Sequence, residues 1–491
     1  MYTLLKWLFL ALLFAPVFYL AFRQKKWYLY LACAFIGILP DQFAIELSAS
    51  LPLLTAQRIL ILLLLGFWIV KKWKDRKFSC PIILVVYTAL NILISVANIR
   101  FGLSGEIKRM AILVLEHVLL IIMAIDLIDD RKEFHLCLDS MILSSCALSV
   151  VGILQSIAGV DLASVLHLVD ARTVIGLTPR MGIIRAFGTS NAIIFGCYCA
   201  FMVLVIYYRL DRTKKQRYAI ALALALTAMI CTLSRSAWLC LAAMFVLLLV
   251  LRPKKLLKAI GSSLAMTLVL CLALGLLGNR FFLLASVETG RSTLNTVLGV
   301  VDLEIPPIPG VTNLLANLPV IDPGAETDEE EEAPEFGKNQ SSAAQSRLVE
   351  WTAAKYMIQE GEGLFGYGYN AFPRGKLQYF YPQFGVWTVA TTLDVGLLRI
   401  MTDSGLVGLL THLALTVFAL LEAIKHRGEK GLLTFEKLFS LLLIMYLLMN
   451  FMAAFTGPFW LVLGLFYASR KLTRQNLPDN EPLPEEKGWL F

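Results

Sequence analysis

Apolar residues in this chain come in long runs with few charges, separated by short polar clusters, and show no strand-like alternation. The runs fall near 3–22, 27–45, 51–70, 80–98, 110–128, 136–159, 183–208, 218–233, 236–251, 256–278, 396–424, 434–451 and 455–469. A helix of about 20 residues crosses the hydrocarbon of a bilayer, and inside lipid every backbone N–H and C=O must find its partner within the protein. The pattern therefore predicts an all-α polytopic membrane protein with about 12–14 transmembrane helices, since the strands of a barrel would alternate. About ten spans fall in residues 1–279 and about three in 396–470. The first run resembles a signal peptide but lacks a small-residue cleavage site before Arg23-Gln24-Lys25-Lys26, so it reads as an uncleaved first helix.

Residues 280–395 form the one long stretch that must work in water. It begins with Arg280, Glu288 and Arg291, then passes Ile305-Pro306-Pro307-Ile308-Pro309 and the acidic run Glu326-Thr327-Asp328-Glu329-Glu330-Glu331-Glu332. Both segments look irregular, and the acidic one reads as a solvated face. Leu348, Trp351, Ala354 and Ile358 then recur at helical spacing with Arg347, Glu350 and Lys355 elsewhere, which predicts a helix lying at the membrane interface. Gly361, Gly363, Gly366 and Gly368 end it in turns, and Phe365, Tyr367, Tyr369, Phe372, Tyr379, Phe380, Tyr381, Phe384 and Trp387 follow. Such rings anchor at headgroup level and also stack on sugars. The first half of the stretch is expected to be a cover or spacer, with the chemistry in 347–394.

At 58% hydrophobic residues and a mean hydropathy of +0.71 over 491 residues, the chain is more apolar than a soluble domain, which is nearer half apolar. The net charge of +8 does not imply nucleic acid. Its basic residues gather at 23–26, 71–77, 209–217, 252–258, 425–430 and 470–471, beside spans, where the positive-inside rule places cytoplasmic connections. The 280–395 stretch then becomes one large extracytoplasmic loop, on the same side as 161–182, 234–236 and 450–457. Residues 471–491, rich in Pro, Glu and Asp, read as a flexible cytoplasmic tail. The expected location is the plasma (inner) membrane, with the active site on the extracytoplasmic face. One connection fits poorly, because Arg100, Lys108 and Arg109 fall outside.

The nine cysteines lie in or beside apolar runs and outline neither a disulfide framework nor a zinc site. No cofactor or metal is expected. The chain has no P-loop, His-Glu-x-x-His or Gly-x-Ser-x-Gly motif, which disfavours ATP-driven transport and serine hydrolysis.

Arginine is the chemical signal. Arg172, Arg180, Arg185, Arg235, Arg280, Arg291, Arg347, Arg374 and Arg399 all fall on the predicted outer side, where the positive-inside rule does not place them. Arginine carries a permanent charge on a planar fork that grips phosphate oxygens in pairs. Snorkelling, or pairing with nearby carboxylates, is the plainer account of any one of them. Glu116-His117, Asp139 and His412 lie inside spans, where either a proton relay or pairing within the bundle would explain them.

Four segments carry a family resemblance: Arg185-x-Phe187-Gly188-x-x-Asn191, Ser234-Arg235-Ser236-Ala237-Trp238, Arg347-x-x-x-Trp351 with Gly363-Leu364-Phe365-Gly366-Tyr367-Gly368, and Asp403-Ser404-Gly405-Leu406-Val407-Gly408. In this order, around one large outer loop, they resemble the bacterial O-antigen ligase and Wzy-type polysaccharide polymerase superfamily over about residues 180–470. The resemblance implies a metal-independent glycosyltransferase acting on a polyprenyl-diphosphate-linked glycan in the bilayer, with flippase and chain-length regulator proteins as further partners. It implies Arg185, Arg235 and Arg347 at the diphosphate, joined by Arg180 and Arg399, and Trp351, Tyr367 and Tyr369 on the glycan. Arg235 and Arg347 would stabilise the charge that builds on the leaving diphosphate. Alignment on Gly405 and Gly408 puts Asp394-Val395 where ligases carry His-Asn and many polymerases Asp-Asn. This favours a polymerase and makes Asp394 the candidate base, with Asp403 a weaker one that also reads as a helix first-turn carboxylate. A ligase of the same superfamily is the near alternative. A flippase or transporter is the distant one, lacking a visible inverted repeat.

Overall fold

The computed structural model describes residues 44–45, 54–72, 80–158, 179–180, 183–188, 192–251, 253–277, 282–298, 306, 351, 354–355, 363–369, 378–381, 386–389, 395–426, 433–453, 455 and 458–475. The helices are α1 (Ala56–Lys72), α2 (Ile82–Asn98), α3 (Leu103–Leu127), α4 (Arg131–Ala158), α5 (Ala192–Thr213) and α6 (Gln216–Cys231). They continue with α7 (Arg235–Leu251), α8 (Pro253–Leu277), α9 (Phe282–Leu298), α10 (Gly396–Lys425), α11 (Phe435–Met452) and α12 (Phe459–Arg474). Among the described residues, 6 helices are long and apolar enough to cross a membrane, and shorter apolar helices accompany them. The protein is an all-α, multi-pass membrane protein. Its short antiparallel strand pairs, Ala44–Ile45 with Leu54–Thr55, Pro179–Arg180 with Ile183–Ile184, and Gln378–Tyr381 with Val386–Val389, sit in connections.

α5 lies at the centre of the bundle, with every residue from Phe195 to Asp211 buried. Packing in lipid relies on close van der Waals contact, because lipid tails are as apolar as leucine. Small residues make that contact possible here: Gly196 of α5 lies against Thr232, Ser234 and Ala237, and Gly464 of α12 lies against Ala124 and Ile121 of α3.

Polar pairs fix the order of the ends. Arg58 with Glu116, and Trp68 with Asp126, set α1 and α3 parallel. Lys471 of α12 donates to the carbonyls of Ile125 and Ile128, so α12 also runs parallel to α3. One end of the bundle holds the basic connections. There Arg209 grips Asp139 through two bonds of 2.7 and 2.8 Å and reaches Tyr218, and Arg470 faces Glu422. The opposite end gathers the end of α2, the starts of α3, α5, α7 and α10, and the ends of α4, α6 and α11. The polar groups inside spans are thus mostly matched within the bundle: Glu116 by Arg58, Asp139 by Arg209, and His412 by the Tyr446 hydroxyl at 3.2 Å.

Two features differ from the sequence reading. The 280–395 stretch does not open as a solvated spacer, because its first part is α9, which packs against α7 and α8 with Phe282, Ala285, Glu288, Thr289 and Thr293 buried. Its mixture of polar and apolar residues hid it from a search for uncharged runs. The span near 396–424 is also not one regular helix. α10 is interrupted at Gly405, whose φ of 66° and ψ of −168° are not helical.

Candidate active site

At the end opposite the basic connections, the tight link between α6 and α7 carries two arginines. Leu233 takes a positive φ of 47° and Ser234 N donates to Thr232 Oγ1 at 3.2 Å, so the chain reverses within three residues and Arg235 becomes the first residue of α7. The 185–188 segment docks on this link: Arg185 Nε donates to the Thr232 carbonyl at 2.7 Å and Ala186 N to the Cys231 carbonyl at 3.0 Å. Arg235 NH1 donates to Ser292 Oγ of α9 at 3.1 Å. One guanidinium is therefore fastened to the turn and a second, held by α9, belongs to the residue that follows it, at a helix N-terminus, the end whose dipole favours an anion.

The second feature is the break in α10. Breaking a helix inside a membrane protein leaves backbone groups that something must satisfy, and the glycine-rich segment 363–369 does this. Leu406 N and Val407 N donate to the carbonyls of Gly363 and Leu364, while Tyr367 N and Gly368 N donate to those of Thr402 and Asp403. Gly366 and Gly405, both with positive φ, meet back to back, and a Cβ on either would strike the other strand's backbone.

The end of α2 and the start of α3 close over this knot. Asn98 Nδ2 donates to Phe365 O at 2.8 Å and Asp403 O at 3.3 Å. Arg109 NH2 donates to Ser404 Oγ at 2.8 Å, and Glu106 Oε1 accepts from Tyr369 N at 2.8 Å. Burial raises the Tyr369 phenol above its ordinary pKa; Asp403 and Glu116 add to this, while Arg399 and Arg58 oppose it. Among the described residues, no three His, Cys, Asp or Glu side chains form a metal-ligand group.

Compared with known families, residues 220–413 match the model for O-antigen ligase. Over these residues, fewer than half of the chain, the protein is similar to the O-antigen ligase family. No curated protein matches the chain. The matched O-antigen ligase segment takes in the Arg235 turn, α9, the glycine knot and the break in α10, whereas Arg185 and α1 to α5 precede it.

Of the arginines singled out in the sequence, Arg185 is bound to the Thr232 carbonyl and Arg235 follows three residues later at the start of α7. Tyr369 lies within electrostatic reach of Arg399, which is exposed on the first turns of α10. Tyr367 stands in the knot, its ring 5.6 Å from that of Phe101. Trp351 is helical and exposed, its ring 6.0 Å from Phe451 at the end of α11; the next residue, Met452, meets Cys240 of α7 at 3.9 Å. Arg180 pairs with Ile183 in a hairpin that leads into the Arg185 segment. Arg347 and Asp394 lie outside the described residues, as do Arg172, Arg280 and Arg374. Arg291 is held by Glu288 at 2.9 Å, so local pairing accounts for that member of the arginine set. Asp403 is not a first-turn carboxylate, because α10 begins at Gly396 and Asp403 sits two turns on, at the break. Asn98, Glu106 and Arg109 escaped the sequence reading as site residues. Their only sequence signal was Arg109 falling in the connection that fits the charge rule poorly.

Proposed function

We propose that this protein is a metal-independent glycosyltransferase of the plasma membrane, polymerising polyprenyl-diphosphate-linked oligosaccharide repeat units into a surface polysaccharide at the extracytoplasmic face. The observation that carries this reading is that Arg185 is bonded to the turn leading into Arg235, a turn that lies in the segment matching O-antigen ligase. In the reaction, the acceptor hydroxyl oxygen bonds to the anomeric carbon of the donor sugar as the bond from that carbon to the diphosphate breaks. The electron pair leaves with the lipid diphosphate, where Arg185, Arg235 and Arg347 stabilise the added charge. The acceptor proton passes to a base, for which Asp394 is the candidate. Trp351, Tyr367 and Tyr369 offer rings to the glycan.

The ligase reading has support in the family description itself. The polymerase reading draws on Asp394-Val395 standing where ligases carry His-Asn. Deleting the gene separates them: single repeats on the carrier or final acceptor mark a lost polymerase, and long chains accumulating on the carrier lipid mark a lost ligase. Purified protein in liposomes, given radiolabelled lipid-linked glycan without ATP or metal, should form longer chains or a new glycoconjugate. Recovery of unaltered starting glycan on the other leaflet would instead make the protein a transporter.

A further inference from the structure

Gln155 stands in the last turn of α4 with 3% of its surface exposed. Both ends of its amide are engaged by one short piece of backbone. Oε1 accepts from Gly188 N at 2.8 Å and from Phe187 N at 3.3 Å, and Nε2 donates to Gly188 O at 2.8 Å. A carboxamide accepts from the N–H and donates to the C=O of the same residue while staying neutral. A neutral group is what the end of a membrane helix tolerates, provided its bonds are made. One turn earlier, Gly152 has no Cβ, and its place is taken by the ring of Phe195, with Ala186 close by. α4 is thus shaped at Gly152 and equipped at Gln155 to receive residues 186–188.

The same segment is tied on its other side to Cys231 and Thr232, through Ala186 N and Arg185 Nε. Arg185 therefore has two supports: the α6–α7 link, which also carries Arg235, and the Gln155 amide. The first holds the guanidinium on the turn that leads into Arg235. The second fixes the backbone that follows Arg185, and with it the direction of the side chain.

We infer that Gln155 is a positioning residue for the transfer reaction, acting through Arg185 by clamping Phe187 and Gly188 so that the guanidinium meets the diphosphate as its bond to the sugar breaks. This rests on the proposed role of Arg185. Displacing a charge-stabilising group by an ångström lowers the rate by up to about a hundredfold, and the loss falls on turnover because the charge is greater in the transition state than in the bound substrate.

The test is a double-mutant cycle on the reconstituted protein, with polyprenyl-diphosphate-linked glycan extracted from cells lacking the gene as substrate. Gln155→Leu should lower kcat by about ten- to a hundredfold, with KM for the lipid-linked glycan within about twofold. In an Arg185→Ala background it should have no further effect on kcat, because the group it positions is gone. A loss that multiplies in that background, a change confined to KM, or a wild-type rate for Gln155→Leu alone would each overturn the inference. Arg185→Ala by itself tests the underlying reading: a wild-type rate there removes the arginine from the mechanism. If Gln155→Leu yields no folded protein, Gln155→Glu, which keeps the length and the acceptor and when ionised sets a negative charge against Gly188 O, is carried through the same cycle.

Discussion

Arg109 reaches from α3 to Ser404 at the break in α10, with its NH2 2.8 Å from the serine hydroxyl. The same guanidinium meets Asn91 Oδ1 at 3.3 Å and the Asp403 carbonyl at 3.5 Å, and faces Glu106 at 3.7 Å. Glu106 in turn holds Tyr369 N. One ion pair therefore stitches a broken helix and a loop to the first half of the chain. Both members are withdrawn from solvent, at 11% and 3% side-chain exposure.

Removing one partner of such a pair leaves a buried charge without compensation, which costs about 3–5 kcal/mol. Arg109→Met should therefore lower the melting temperature of the detergent-purified protein sharply. Adding Glu106→Gln should recover part of the loss, since it removes the orphaned charge. A double variant melting below the single one would show that Glu106 is stabilised by something other than Arg109.

Gly405 and Gly366 permit the knot by two separate means. Gly405 occupies a backbone region almost closed to L-residues, worth about 1–3 kcal/mol of strain, and a Cβ there would also run into the carbonyl of Leu364. Gly66 in α1 and Gly261 in α8 have nothing within 4 Å of such a Cβ. Alanine at 405 or 366 should destabilise the protein and expose the 363–369 segment to protease. Alanine at 66 or 261 should be neutral or stabilising by up to about 1 kcal/mol. Equal effects at all four positions would argue against the knot.

These cases separate what the sequence disclosed from what it did not. The span read at 183–208 exists as α5, shifted to Ala192–Thr213, because an uncharged run has one stable solution in lipid while its ends carry no such signal. Arg185 and Arg235 stood out as candidates because arginine beside a span, where the charge rule does not place it, needs a reason. The break at Gly405 did not, since its backbone partners are carbonyls and amides of residues 363–368 and leave no side-chain signature. α9 was hidden because its buried face carries Glu288, Thr289 and Thr293, and a polar buried face looks like a loop. Arg109 was visible as a misfit in the charge pattern, but its partners lie about 300 positions away in sequence, beyond any local rule.

Arginines at the basic end should behave differently from those at the site. Arg209 is 2% exposed and locked to Asp139 and Tyr218. Arg209→Met should cost about 1.5–3 kcal/mol by taking from Asp139 its two shortest bonds, although Tyr218 and Arg217 still face that carboxylate, seen as reduced yield and a lower melting temperature. Turnover per folded molecule should stay at the wild-type value. A selective fall in turnover at unchanged stability would place Arg209 in the reaction and undo the division between the two ends.

Arg235 is the sharper case, because its charge and its shape can be removed separately. It opens α7, so its guanidinium and the helix N-terminus act on the same region, and Ser292 of α9 steadies one of its nitrogens. Losing one preorganised donor to a developing negative charge lowers turnover by about 10²–10³-fold, the loss expected for Arg235→Ala at near-normal stability. Arg235→Lys restores the charge without the planar fork and should recover only part of the rate. Ser292→Ala keeps both and should cost a few-fold at most, since a neutral hydrogen bond is worth about 1 kcal/mol. The three variants, assayed in liposomes against lipid-linked glycan, should rank Ser292→Ala, then Arg235→Lys, then Arg235→Ala. A lysine variant as active as the wild type would mean that Arg235 supplies field alone, and that the grip on the diphosphate lies elsewhere.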